Sequence, residues 1–232
     1  MGISSSIKNH LKRAVFVAMS LAFFGCASDD PTKLSFKSSN SQSLLLMEMD
    51  PVAGEYAASI ASFDEPNNFV TLSLTGGTGR LFKKSANSNY SYAIVSPGAY
   101  VFTGFIQQES WALCFHARTF AFTVEPGQSL YLGHLKTRIH LAQLQQQVSM
   151  FGPISVRQGN TVYYRDGILA PQILTPSATD LSRAQQYVDQ SMPRVQATLT
   201  PATYRSAKFD VGHDIFGHTL CLGYGRQPLP NN

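Results

Sequence analysis

Charge is scarce in this sequence. Asp, Glu, Lys and Arg make up 14% of its 232 residues, and no run of cations is longer than a pair such as Lys83-Lys84. A chain without a basic stripe cannot neutralise a row of phosphates, which argues against nucleic acid as its main partner. Catalytic signatures are missing too. There is no HExxH helix, no G-x-S-x-G elbow and no Gly-Lys-Ser/Thr ending to a glycine-rich loop,. Glu109 and Glu125 are far apart and turn-associated, so no glycosidase pair is indicated,. The main apolar run, Ala14 to Gly25, is twelve residues long. As a helix it would rise ~18 Å against ~30 Å of bilayer hydrocarbon, too short for a comfortable span.

The flanks of that run say what it is for. Lys8, Lys12 and Arg13 precede it, and Gly25-Cys26-Ala27 closes it before Asp29, Asp30 and Pro31. A basic start, a short apolar middle and small residues at the end are the grammar of an export signal. The opening "MGISSS" also satisfies the pattern for myristoylation at Gly2, a short pattern that Ser-rich termini often meet,. An uncleaved anchoring helix is the remaining alternative.

The segment "LAFFGCAS" resembles the lipobox of bacterial lipoproteins, in which the cysteine is acylated and becomes the first mature residue. Gly25 and Cys26 match that pattern. Phe23 and Phe24 depart from it, standing where Leu and a smaller residue are usual. The resemblance implies a signal peptide over 1–25, lipidation of Cys26 and a membrane attachment through that lipid. Ala27 and Ser28, rather than Asp, follow the cysteine. By the same resemblance this favours the outer membrane, facing the periplasm, over the inner membrane.

Loss of residues 1–25 takes three of the 18 basic residues and none of the 14 acidic ones, leaving a net charge near +1. Lipidation of Cys26 leaves Cys114 and Cys221 as an even pair in an oxidising compartment, where a disulfide is expected,. Two separately buried thiols are the alternative.

What is plentiful is Gly, Ser, Thr, Tyr and Phe, a composition of β-rich exported domains,. Residues 26–34 read as a tether and 35–138 as seven or eight short strands. "NFVTLSLTGG" alternates with a period of two, and "YSYAIVSPGAYVFTGFI" reads as strand, Pro97-Gly98 turn, strand, with Tyr100, Phe102 and Gly104 on one face,. In "RTFAFTVEPGQSLYLGHL", Phe120, Phe122 and Val124 share a face before the Pro126-Gly127 turn,. The rhythm predicts a mainly β fold, a β-sandwich, with a mixed α/β extension over 139–232. That extension holds a Gln-rich helix with Leu141, Leu144 and Val148 at helical spacing, and a hairpin about Gly159-Asn160. A second helix opens with the capping box Ser177/Asp180 and closes at Pro193,. "PGAY" and "EPGQSLYLG" resemble small immunoglobulin- or prealbumin-like sandwich domains of bacterial lipoproteins over roughly residues 42–135. That resemblance implies a fold and no particular activity.

The candidate chemistry is concentrated in "DVGHDIFGH". Asp210, Asp214 and His218 recur at intervals of four and could share a face, with His213 as a further ligand for a divalent metal,. A glycine-broken loop with backbone-bonded side chains is the plainer reading. "TGGTGRLFKK" reads as a hairpin turn rather than a phosphate cradle. His116, His134 and His140 are expected to be locally satisfied side chains. Trp111, Tyr90, Tyr92 and Tyr100 are expected either to fill the core or to form an aromatic surface. Together these readings predict a non-enzymatic binding or structural module with an envelope protein partner and no cofactor. A metal-dependent enzyme or metal-binding protein is the alternative.

Overall fold

The computed structural model describes residues 30–71, 80–85, 88–150, 155–213, 216–217 and 219–222. Among the described residues the chain is mainly β, with two α-helices after the β-rich part. Strands β1 (Phe36–Lys37) and β2 (Ser43–Met49) are followed by β3 (Tyr56–Asp64), β4 (Phe69–Thr71), β5 (Arg80–Leu81) and β6 (Lys83–Lys84). Next come β7 (Tyr90–Val95), β8 (Gly98–Gln107), β9 (Trp111–Cys114), β10 (Thr119–Val124) and β11 (Ser129–Leu135). Helix α1 (Thr137–Met150) precedes β12 (Ser155–Gln158), β13 (Thr161–Tyr164) and β14 (Ile173–Leu174). Helix α2 (Ala178–Ser191) leads to β15 (Val195–Gln196), β16 (Thr200–Pro201), β17 (Arg205–Ala207), β18 (Gly212–His213) and β19 (Thr219–Leu220).

Among the described residues a nine-stranded sheet runs β12-β13-β9-β8-β10-β17, with β3 on the other edge of β8 and β4 and β5 on β3. It curls as a half-barrel rather than lying flat. A six-stranded sheet runs β14-β11-β2-β7-β6, with β16 also on β11. Pro97-Gly98 therefore does not join a hairpin: β7 belongs to the second sheet and β8 to the first, and the turn carries the chain between them. The segment assigned from sequence to a C-terminal extension supplies β12, β13 and β17 to one sheet and β14 and β16 to the other.

The strand patterns follow from burial on both faces. β2 is SLLLMEM, buried throughout except at Glu48, as a strand covered on both sides must be,. Leu45, Met47 and Met49 join the main core with Ile60, Phe102, Phe105, Phe122, Val124, Leu130 and Leu132. Leu44 and Leu46 face the other way, into a layer completed by Ala184 and Val188 of α2. The outer side of the nine-stranded sheet is covered by Phe209, Cys221 and Leu222 of the tail, packed on Val101, Ala112, Cys114 and Ala121. Helix α1 contributes Leu144 to the main core, with Leu141 and Val148 packed against it.

One expected face is broken. Ser59 pairs with Gly104 but Ile60 with Phe102, so Thr103 is an extra residue in β8, a β-bulge,. The bulge passes the next inward place from Gly104 to Phe105, which is fully buried. The Thr103 hydroxyl is satisfied by Ser59 Oγ at 2.9 Å.

The hairpin and the second helix form as the sequence predicts. Gln158 pairs with Thr161 around Gly159-Asn160. Ser177 Oγ accepts the Asp180 N–H at 3.2 Å and Asp180 Oδ2 accepts the Ser177 N–H at 3.1 Å. Leu72 to Gly79, which include the glycine-rich turn, lie outside the described residues. The four aromatics are in the core or packed against it: Tyr90, Tyr92 and Tyr100 are buried, and Trp111 packs on the main cluster. At the first described residues Asp30 caps a 3-10 turn over Pro31–Lys33, and Pro31 is buried.

Two of the glycines in the segment 125–133 are demanded by space. Gly127 has φ +71° and a Cβ there would fall on the Ser38 carbonyl; Gly133 has φ +88° and a Cβ would fall on the Leu174 carbonyl. Gly127→Ala should therefore lower stability by about 1–3 kcal/mol, as overpacking against an immovable backbone does, measured by denaturant unfolding.

Cys114 and Cys221 form a disulfide across a sequence separation of 107. It ties the tail to β9 under the outer layer. Cross-linking a loop this long restricts the unfolded chain. Cys221→Ser should cost about 2–4 kcal/mol under non-reducing conditions. The check is thermal unfolding with and without reductant: the difference from wild type should shrink once both are reduced.

Candidate functional site

The residues proposed from sequence as metal ligands are only partly described. Asp214 and His218 lie outside the described residues. Asp210 is half-buried, and its backbone N–H donates to the Asn68 carbonyl at 2.8 Å, which holds the tail against the start of β4. His213 Nδ1 is 3.4 Å from the Gly217 carbonyl, within its own turn. Among the described residues no three His, Cys, Asp or Glu side chains converge as a metal site would require,.

The three histidines expected from sequence to be locally satisfied each have local partners, although His140 lies in α1 rather than in or beside a strand. His134 Nε2 meets Asp50 Oδ1 at 2.8 Å, and Asp50 Oδ2 accepts the Arg138 N–H at 3.3 Å in the first turn of α1. That carboxylate thus joins the ends of β2 and β11 to the start of the helix. His140 is fully buried, edge-on to Phe115 with ring centres 5.2 Å apart. Its Nε2 accepts the Gln172 backbone N–H at 2.9 Å, which leaves the proton on Nδ1, 3.1 Å from Gln143 Oε1,. His116 is half-buried with its ring edge-on to Phe209.

The feature that sequence reasoning missed is a cleft of about 640 Å³ beside the β10–β17 pair. It owes its shape to a detour between β9 and β10. Both strands pair with the same edge of β8, but between them the chain leaves it for the turn Phe115–Arg118, closed by Arg118 N–H to the Phe115 carbonyl at 3.2 Å. The detour is pinned at both ends to adjacent carbonyls of β8. Phe115 N–H donates to Thr103 O at 3.1 Å and Thr119 Oγ1 to Phe102 O at 2.6 Å. On the far side Phe209 N–H donates to His116 O at 2.8 Å.

Ala117, Arg118, Thr119 and Phe120 form one wall of the cleft, and Ser206, Ala207 and Lys208 the other. Asn68 and Ala170 complete it. Thr119 pairs with Ala207 at the end of the antiparallel ladder, and Arg118 and Lys208 are the next residues on the two segments, both lining the cleft. Among the described residues neither cation is in an ion pair, whereas nearby Arg205 is held by Glu65 at 2.8 Å. Arg118 Nη2 donates only to the Ile168 carbonyl, at 3.3 Å. No local motif announces this arrangement, because Arg118 and Lys208 are isolated cations in distant parts of the chain. Only the tertiary structure brings them to one cleft.

The fold and the cleft define a mainly β, disulfide-strapped protein with a cationic cleft at a sheet edge. No family model, no curated protein and no solved structure matches the chain. Among the described residues no helix is long and apolar enough to cross a membrane.

Burial holds the His140 pKa below its ordinary value, and burial aided by Arg165 does the same for His116. Below about pH 6.5 the unfolded chain binds protons that the folded chain refuses, so stability should fall as pH drops, by up to ~1.4 kcal/mol per pH unit for each such histidine. The loss should continue until the folded-state pKa is reached. Denaturant midpoints across this range should decline less steeply for His140→Gln than for wild type.

Proposed function

We propose that this chain is a lipid-anchored protein of the bacterial cell envelope, acylated at Cys26 and held at the outer membrane facing the periplasm. There it acts as a non-enzymatic binding module for an envelope partner, on a sandwich of the immunoglobulin- or prealbumin-like kind. The observation that carries the reading is the Cys114–Cys221 disulfide, which suits an oxidising compartment and agrees with an export signal ahead of Cys26,. Lipidation rests on the sequence of the segment Leu21 to Ser28 alone, since Cys26 lies outside the described residues. The cleft between Arg118 and Lys208 supports a binding role, because it joins apolar walls to a few placed polar groups,.

Intact mass and lipid labelling of the membrane-extracted protein, beside Cys26→Ser, test the anchor. The expected result is an acylated chain beginning at Cys26 for wild type and loss of label in the variant. A wild-type mass without lipid would overturn the lipoprotein reading.

A further inference from the structure

We infer that the cleft beside the β10–β17 pair is a carboxylate-binding site, in which Arg118 and Lys208 receive the acid group and the walls receive a small apolar body. This deepens the binding-module reading, on which it rests, and is independent of the lipid anchor.

Arg118 and Lys208 line the same cleft just beyond the Thr119–Ala207 pair, on segments fastened on both sides. Phe209 N–H to His116 O fastens the segments just past the cations, and Thr119 Oγ1 to Phe102 O fastens β10 beneath them. Glu65 is spoken for by two of the guanidinium nitrogens of Arg205, at 3.1 and 2.8 Å. A bound anion gives both cations of the cleft charge-assisted hydrogen bonds, the strong kind.

The walls decide between anions. Ala117, Phe120, Ala170 and Ala207 are apolar, and the hydroxyl of Thr119 is already committed to Phe102. Two cations beside an apolar wall suit a single planar acid group on a hydrocarbon or aromatic body. A bare phosphate would leave the apolar part of the lining unused,. A cleft of about 640 Å³ holds a body larger than acetate,. That chemistry has two sources: a free organic acid, or the C-terminal residue of a peptide chain.

The test uses the full-length protein in detergent, with benzoate and N-acetyl-Ala-Phe as probes and benzamide and N-acetyl-Ala-Phe-amide as controls. Binding is read by calorimetry and by amide chemical shifts. At least one acid should bind while its amide does not. Arg118→Gln combined with Lys208→Gln should weaken that binding about tenfold or more, the loss expected for a charge-assisted hydrogen bond. Both side chains are exposed, so the fold should survive, and unchanged circular dichroism and melting temperature check this. Ala117→Trp, which fills the cleft without altering charge, should also weaken binding. Tighter binding of benzoate identifies a free acid as the ligand, and tighter binding of the peptide acid identifies a chain terminus. Binding of neither acid, equal binding of acid and amide, or binding unchanged in the double variant would each overturn the inference. An envelope protein that still crosslinks to the double variant would keep the module reading standing with this cleft excluded.

Discussion

The bend in β8 is the constraint on which the rest of the structure depends. One strand of ten residues, Gly98–Gln107, pairs with β3 along one edge and with both β9 and β10 along the other. Serving all three requires a change of direction, and both edges make it at the same place. On the β3 side Thr103 bulges out of register. On the other side the chain leaves the ladder for the turn Phe115–Arg118, and the carbonyls of Phe102 and Thr103 hold its two ends. A bulge increases local twist and bends its strand, so the sheet curls around the core instead of lying flat over it. The same detour points Phe115 into the main core, brings His116 to the tail, and places Arg118 in the cleft that Lys208 also lines.

Curling leaves three surfaces to cover, and different parts of the late chain cover each. Helix α1 meets the main core through Leu144 and His140, a buried imidazole made tolerable by hydrogen bonds at both nitrogens,. Helix α2 lies on the outer face of the six-stranded sheet, where its Arg183 bridges Glu48 at 3.1 Å and Asp180 at 2.9 Å. Tyr131 donates to the same Glu48, and Tyr187 stacks on Tyr90 while donating to Ser85 at 2.6 Å. The tail covers the outer face of the nine-stranded sheet and is bonded there covalently by Cys221. With so few charges in the chain, docking falls to tyrosines and to single, well-placed ionic contacts.

Local features were legible because local physics produces them. The Ser177/Asp180 cap, the Gly159-Asn160 loop and the inward run Phe120, Phe122, Val124 each depend on residues a few positions apart. The disulfide was also within reach, since two remaining cysteines allow one pairing. Phase was harder. Nothing in "YVFTGFI" says that Thr103 will be skipped, because the reason is the partner strand and its Ser59 hydroxyl. The candidate cleft was invisible for the same reason. Its cations are a single Arg and a single Lys, brought to one cleft by the tertiary structure rather than by a motif.

By itself, then, the sequence determined the periodicities, caps and turns, the mainly β character, and the export-like opening around Cys26. These rest on backbone preference and on the alternation of apolar residues, which act within a window of a few positions. Only the tertiary structure decided where β8 bends, which sheet each late strand joins, and which charges share a cleft. Those outcomes are set by pairing between segments as far apart as β10 and β17, where the energy of a contact depends on the partner the chain has already supplied.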